Sequence, residues 1–356
     1  MHINFKHFLF LIAIVFLHHS AKAQLEITYF NEHPDWQPQK VPFFTNRPIA
    51  YNKDGSFNFK NSFTDKTNTL YFCHYNFDTD SIGVNFRVIN MSDKYPQGKV
   101  DHNFFYQLYE YQRLERGIKN FYFIVGGYGK SFNKQVHSYM RRLKANYGDS
   151  LFHKASITVF AWGTEDKAYR YYRAVRKSKN GASDFAIFQH MLDEFISDDE
   201  YFKTHPKDLT ISILFSSIGN ELFRQYVLNR KKQDIPFVKT YTRISFVGSV
   251  APRDAFEEGN AFYELNQLAD TVDVYVNSKD ILLKLSSVAH LKNRMGNKGP
   301  KSPEKLPDYI NVMDIKDIIT IHDMSGLGHD YLLTNPVLQD EILQNINKNI
   351  EAKEDD

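Results

Sequence analysis

Leu209-Thr210-Ile211-Ser212-Ile213-Leu214-Phe215-Ser216-Ser217-Ile218-Gly219-Asn220 runs from apolar, β-branched residues straight into small turn residues. Leu222, Phe223, Tyr226 and Val227 then recur on one helical face. The pattern is strand, tight turn, helix. A serine on such a turn is lifted above the sheet, and amide N–H groups at the helix N-terminus point at any oxyanion formed beside it. Ser217 has a glycine two residues later, as close approach of strand and helix requires, whereas Ser216 has none. Phe215 stands two residues before Ser217, where a small residue is expected. It must either be displaced into the helix-packing layer or distort the turn. Alone, Ser-Ile-Gly after a strand is also an ordinary turn.

From Asn120 onward, short apolar runs alternate with helical patterns, the signature of a mostly parallel sheet with helices on both faces. The expected strands are 121–125, 157–161, 209–215, 244–248, 272–276 and 309–313. Phe132, Val136, Met140 and Leu143 have helical spacing, as do Phe188, Met191, Leu192, Phe195 and Ile196. Upstream, 70–75 and 82–88 read as an N-terminal antiparallel hairpin. Two strands and then six give an eight-stranded α/β sheet of the α/β-hydrolase kind, with a nucleophile due after the fifth strand, an acid after the seventh and a histidine after the eighth.

Residues of those types occur there. Asp280 follows the run Val272-Asp273-Val274-Tyr275-Val276, and His329 lies in Gly326-Leu327-Gly328-His329-Asp330. The chain order Ser217, Asp280, His329 is that of an α/β-hydrolase triad. Asp280 has a second reading as the cap of a helix from Ile281, and His329 as an ordinary loop histidine. Asp254 is an alternative acid and His322 an alternative base; Gly326 and Gly328 favour His329, because they let its loop fold back over the turn. Oxyanion donors are expected at the amides of Ile218 and of Tyr128, in the loop Gly126-Gly127-Tyr128-Gly129. A metal site from His322, Asp323, His329 and Asp330 has no second ligand cluster beside it, so neither metal nor cofactor is expected.

Taken together, Gly126-Gly127-Tyr128-Gly129, Phe160-Ala161-Trp162-Gly163 and Phe215-Ser216-Ser217-Ile218-Gly219-Asn220 resemble the H-G-Y-N, F-x-W-P and A-H-S-M-G-N motifs of a bacterial α/β-hydrolase family of unknown function. Ala251-Pro252-Arg253-Asp254 with Phe256, Tyr275 to Asp280, Arg294 with Gly296, Gly328-His329-Asp330-Tyr331 and the upstream Phe43-Phe44-Thr45-Asn46-Arg47 extend the likeness. It implies Ser217 as nucleophile, Asp280 as orienting acid, His329 as base, and Gly126, Gly127 and Trp162 on the substrate side. The expected activity is that of a serine hydrolase on an ester, thioester or amide, with a small or acylated substrate. Gly126 and Ser216 stand where the family has His, Gly163 where it has Pro and Phe215 where it has Ala. These departures also suit a catalytically silent binding protein on the same fold.

The chain has 356 residues, 42% hydrophobic and 24% charged, an ordinary globular composition. Residues 1–23 read as a secretory signal: Lys6 precedes an apolar run, and Ala21-Lys22-Ala23 supplies small residues at a cleavage site. The rest, 24–356, is expected to be a single domain. It comprises an N-terminal extension with the hairpin (24–100), a catalytic core (120–335), and a C-terminal helix with a charged tail (336–356). Of 44 basic residues, Lys6 and Lys22 lie in the signal, which carries no acid, so after cleavage the bases equal the 42 acids. That balance argues against nucleic acid as a partner. The basic stretch Lys292, Arg294, Lys298, Lys301 and Lys305 lies among Gly and Pro and reads as a solvated loop rather than an anion site. A lone cysteine, Cys73 in an apolar run, excludes an intrachain disulfide. No membrane span is expected after cleavage, and the protein is expected to be exported, periplasmic or secreted. N-terminal sequencing of protein secreted by a bacterial host should begin at Gln24; retention of Met1 would defeat this expectation.

Overall fold

The computed structural model describes residues 25–30, 39–51, 53, 57–59, 68–91, 95–96, 103–126, 140–141, 144–145, 155–163, 171–289, 293–319, 329, 331–342 and 344. The signal-like segment, Gly127, Tyr128, Gly129, His322, Asp323 and Asp330 lie outside these residues.

One mixed sheet organises the chain. Its strands are β1 (Leu25–Tyr29), β2 (Lys40–Thr45), β5 (Thr69–Asn76), β6 (Ser81–Asn90), β7 (Asn120–Val125), β8 (Ala155–Phe160), β9 (Thr210–Ser216), β10 (Tyr241–Val247), β11 (Ala269–Val276) and β12 (Ile310–Asp314). Their order is β1-β6-β5-β2-β8-β7-β9-β10-β11-β12. β3 (Ile49–Tyr51) and β4 (Phe57–Phe59) form a separate small ribbon. From β2 to β12 every neighbouring pair is parallel; β1, β6 and β5 are joined antiparallel to β2. The fold is α/β with a mostly parallel sheet.

The expected hairpin and six later strands are present, but the sheet has ten strands, not eight. Lys40–Thr45 is inserted between the hairpin and β8, pairing Phe43 with Val159 and Phe44 with Phe160. Leu25–Tyr29 adds an outer strand along β6. Neither could be recognised by a two-residue alternation. Val41 to Thr45 are all buried, so both faces of β2 read as apolar, and Pro42 interrupts the pattern.

Alternation sends successive side chains to opposite faces. With α1 (Asn103–Tyr109) ahead of β7 and the short α3 (Asp199–Phe202) ahead of β9, Phe121, Phe123, Val125, Ile211, Ile213 and Phe215 meet the helices α2 (Tyr171–Ile196) and α4 (Gly219–Lys232) on one face. Phe188, Met191, Leu192 and Phe195 are buried there, as their spacing requires. Tyr122, Ile124, Leu214, Val247 and Tyr275 line the other face, covered by Ile315, Ile319, Leu332, Leu338 and Ile342. Cys73 is fully buried on β5, and burial pushes its thiol well up, away from nucleophilic use. Met140 is buried and helical; the rest of its expected helical face lies outside the described residues.

α2 and α4 are also joined by a buried polar clamp. Arg230 Nη1 donates to Asp193 Oδ2 (2.8 Å), Tyr226 Oη (2.6 Å) and Tyr95 Oη (2.9 Å). Asp193 Oδ1 accepts from Thr240 Oγ1 and Gln189 Nε2, both at 2.7 Å. Both charged side chains are at most 5% exposed. A buried pair contributes little over an apolar replacement, yet removing one partner strands the other charge. Asp193→Ala is therefore expected to cost about 3 to 5 kcal/mol in denaturant unfolding, with much of the loss recovered in Asp193→Leu/Arg230→Met; equal losses in both variants would refute the clamp.

Candidate active site

The sheet reverses its order of growth at β7: the chain passes from β7 to β8 on one side, then returns to add β9 on the other. Loops leaving the carboxyl ends of such strands diverge and leave a crevice. Gly126 follows β7 at this switch point, and Ser217 follows β9 beside it.

Ser217 has φ +54°, in the left-handed region that a non-glycine residue avoids. The tight turn expected from the sequence is present, and it is strained. Phe215 takes the first of its two expected courses. It is fully buried in the helix layer, stacked on Phe223 at 4.2 Å and 5.9 Å from Phe185, where it does not crowd the turn.

The turn is tied by a residue the sequence reading passed over. Asn220 Nδ2 lies within hydrogen-bond reach of three backbone carbonyls, Ser217 O (2.9 Å), Phe215 O (3.0 Å) and Val247 O (3.3 Å). Ser217 N–H itself donates to Val247 O at 2.9 Å. Gly219 lets the helix start approach β7: a Cβ there would stand 2.7 Å from Val125 O and 3.1 Å from Gly126 O. The Ile218 N–H, beside the serine, donates to no acceptor among the described residues.

Three side chains converge. His329 Nε2 lies 2.6 Å from Ser217 Oγ, and His329 Nδ1 lies 2.7 Å from Asp280 Oδ2. An ionised carboxylate only accepts, so Nδ1 carries the proton and Nε2 is left to accept from the serine hydroxyl. Asp280 is fully buried, Ser217 is 4% exposed and the His329 side chain 9%. Both readings of Asp280 hold together. Its Oδ1 accepts from Leu283 N–H at 2.9 Å, capping α5 (Ile281–Ala289), while Oδ2 holds the imidazole.

Gly248 and Tyr331 complete the surroundings; the sequence placed Gly248 only at the end of a strand and Tyr331 only in the motif after His329, with no role for either. Gly248 has φ +56°, and a Cβ there would stand 2.9 Å from Tyr331 Oη and 3.1 Å from His329 Cε1. A glycine directly after an apolar strand was the available signal.

The other expected site residues fall elsewhere. Asp254 is felt only as a charge near Arg224, whose guanidinium is bonded to Glu221, and the acid at His329 is Asp280. Trp162 is fully buried with its indole N–H donating to Gly126 O at 2.8 Å, so it holds the start of the loop from beneath instead of offering a surface to substrate. Gly126 is also buried. Gly127, Tyr128 and the alternative base His322 lie outside the described residues. Among the described residues no group of three or more His, Cys, Asp or Glu is gathered as for a metal ion. Within the basic stretch expected as a solvated loop, Arg294 is instead buried against Val250 O (3.0 Å) and Ser286 Oγ (3.2 Å), while Lys301 pairs with Glu257 at 3.0 Å and Lys292 lies outside the described residues.

The chain matches no protein-family model, and no curated protein is significantly similar to it in sequence.

The close approach at Gly219 yields a test whose sign is decisive. Alanine at the start of an exposed helix would stabilise it by up to about 1 kcal/mol over glycine. Against two backbone carbonyls that cannot yield, Gly219→Ala is expected instead to destabilise by roughly 1 to 3 kcal/mol, measured by denaturant unfolding. A stabilised variant would show that helix and strand do not meet there.

Proposed function

We propose that this chain is an exported serine hydrolase of the α/β-hydrolase type, acting on an ester, thioester or amide through an acyl-enzyme at Ser217. The observation that carries the reading is the continuous chain from Ser217 Oγ through His329 to Asp280, with the serine at positive φ. A buried serine of purely structural use needs neither a strained backbone nor an imidazole oriented by a carboxylate. Further support comes from the strand order β8-β7-β9-β10-β11-β12 and from the motif resemblance that spans it.

In this reading His329 Nε2 takes the Ser217 proton as Oγ attacks the substrate carbonyl, and Asp280 stabilises the imidazolium and fixes its tautomer. The Ile218 N–H and the amide of Tyr128 receive the oxyanion. His329 then returns the proton to the leaving group, and water, deprotonated in the same way, releases the acyl group. Arrangements of this kind require no cofactor. Among the described residues no helix is long and apolar enough to cross a membrane. Export rests on residues 1–23 alone.

A fluorophosphonate probe applied to the purified chain from Gln24 onward is expected to label it, with labelling abolished in Ser217→Ala. His329→Ala should lower hydrolysis of a short-chain aryl ester by about three orders of magnitude or more, while His322→Ala stays near wild type. Folded protein that the probe leaves unlabelled would overturn the hydrolase assignment in favour of a binding protein.

A further inference from the structure

Tyr331 is fully buried, and its hydroxyl meets no hydrogen-bond partner of good geometry. It is not lodged among apolar groups far from the site. The hydroxyl comes up against the open face of Gly248 together with the His329 imidazole, and the Tyr331 and His329 rings meet edge to face at 6.2 Å. The charge that bears on the phenol is that of Asp280; with burial as the larger cause, it pushes the phenol well above its ordinary range. The phenol is thus placed as a neutral O–H donor at neutral pH. A buried donor without an acceptor is costly, and such groups are retained where they have a use.

We propose that Tyr331 is a positioning residue for the Asp280–His329 pair: its hydroxyl donates to the Asp280 carboxylate and so limits how much of that charge is felt by the imidazole. Asp280 then has three donors: the Leu283 N–H on Oδ1, the His329 Nδ1–H on Oδ2, and the phenol. Gly248 is part of the same device. Any side chain at 248 would occupy the space that the phenol oxygen and the imidazole edge share.

The sign of the effect follows from charge. A hydrogen bond from Tyr331 draws electron density from the carboxylate, which makes Asp280 a weaker stabiliser of imidazolium. Removing that hydroxyl leaves the full carboxylate charge facing the ring, so protonated His329 is favoured and its titration moves to higher pH. Among the described residues, the other groups facing the imidazole add no charge: Ser217 is a neutral hydroxyl on Nε2, and Gly248 has no side chain. Lys279, next in sequence to Asp280, directs its amine to Lys316 O at 2.7 Å.

The inference rests on the hydrolase reading for its meaning, but its test needs no turnover. The His329 ring would be titrated by NMR through its Cε1 resonance, assigned by its loss in His329→Gln, in wild type and in Tyr331→Phe. The midpoint is expected to rise by roughly half a pH unit or more in Tyr331→Phe, as for loss of one hydrogen bond to a neighbouring charge. The acid limb of any kcat/KM profile should shift with it, while KM changes little. Superimposable titrations would overturn the proposal, because a role in packing alone leaves the midpoint in place. Should Tyr331→Phe fail to fold, a crystal structure of the wild type decides the matter. Tyr331 Oη within about 3.2 Å of an Asp280 oxygen supports the proposal, and a hydroxyl bonded elsewhere defeats it. A protein that hydrolyses nothing would refute the hydrolase reading and leave both measurements readable.

Discussion

Ser217 is held at a backbone angle that costs roughly 1 to 3 kcal/mol for a residue with a Cβ, and much of the surrounding structure serves to hold it there. The chain must leave β9 at the level of the sheet and enter α4 within two residues. Only a left-handed residue reverses it that sharply while throwing its side chain upward. The strain is offset locally: the Asn220 side-chain amide lies within reach of the Phe215, Ser217 and Val247 carbonyls, the Asn220 N–H also donates to Ser217 O, and the Ser217 amide finds Val247 O. It is also enforced from the side, since Gly219 brings the helix start against the end of β7 with no room to relax. The Ile218 amide, next to the hydroxyl, donates to no acceptor among the described residues.

Phe215 shows how a sequence that departs from a small-residue elbow can still form one. Its ring does not share the space of the turn, because a residue on β9 two positions before the serine points to the face covered by α2 and α4. There it stacks on Phe223 and meets Phe185 and Phe246, so bulk that would be a liability above the sheet becomes core below it. The aromatic content of the chain, 15% of its residues, is used largely in this way. Burial of such rings contributes both apolar area and edge or stacked contacts. The polar clamp of Arg230 and Asp193 fixes how the two helices that form this layer lie against each other.

Asp280 links the stability of one element to the chemistry of another. Its two oxygens divide the work: one closes the N-terminus of α5, the other holds the imidazole, and the helix that is capped in turn fixes the carboxylate. A loop histidine 49 residues further along the chain can therefore be met by a carboxylate that is already rigid. Rigidity at the acid is what sets the tautomer of the ring, and the tautomer is what leaves Nε2 able to accept from the serine.

By itself the sequence determined the alternation of strand and helix after Asn120, the hairpin, the strand–turn–helix at Ser217, and the chain order of a serine, an acid and a histidine, because these are local patterns of period and turn chemistry. It also narrowed the fate of Phe215 to two outcomes. What only the tertiary structure decided was everything set by contacts between distant segments. β2 enters the middle of the sheet because it is buried on both faces and so shows no alternation to read. Asp280 and not Asp254 meets His329, since strand order alone does not say which carboxylate the loop will reach. Trp162 lies under the Gly126 carbonyl instead of at a surface. Asn220, Gly248 and Tyr331 matter through neighbours far away in sequence: motif matches and a strand end mark their positions, but the space each one fills or leaves open is settled only when those neighbours are in place.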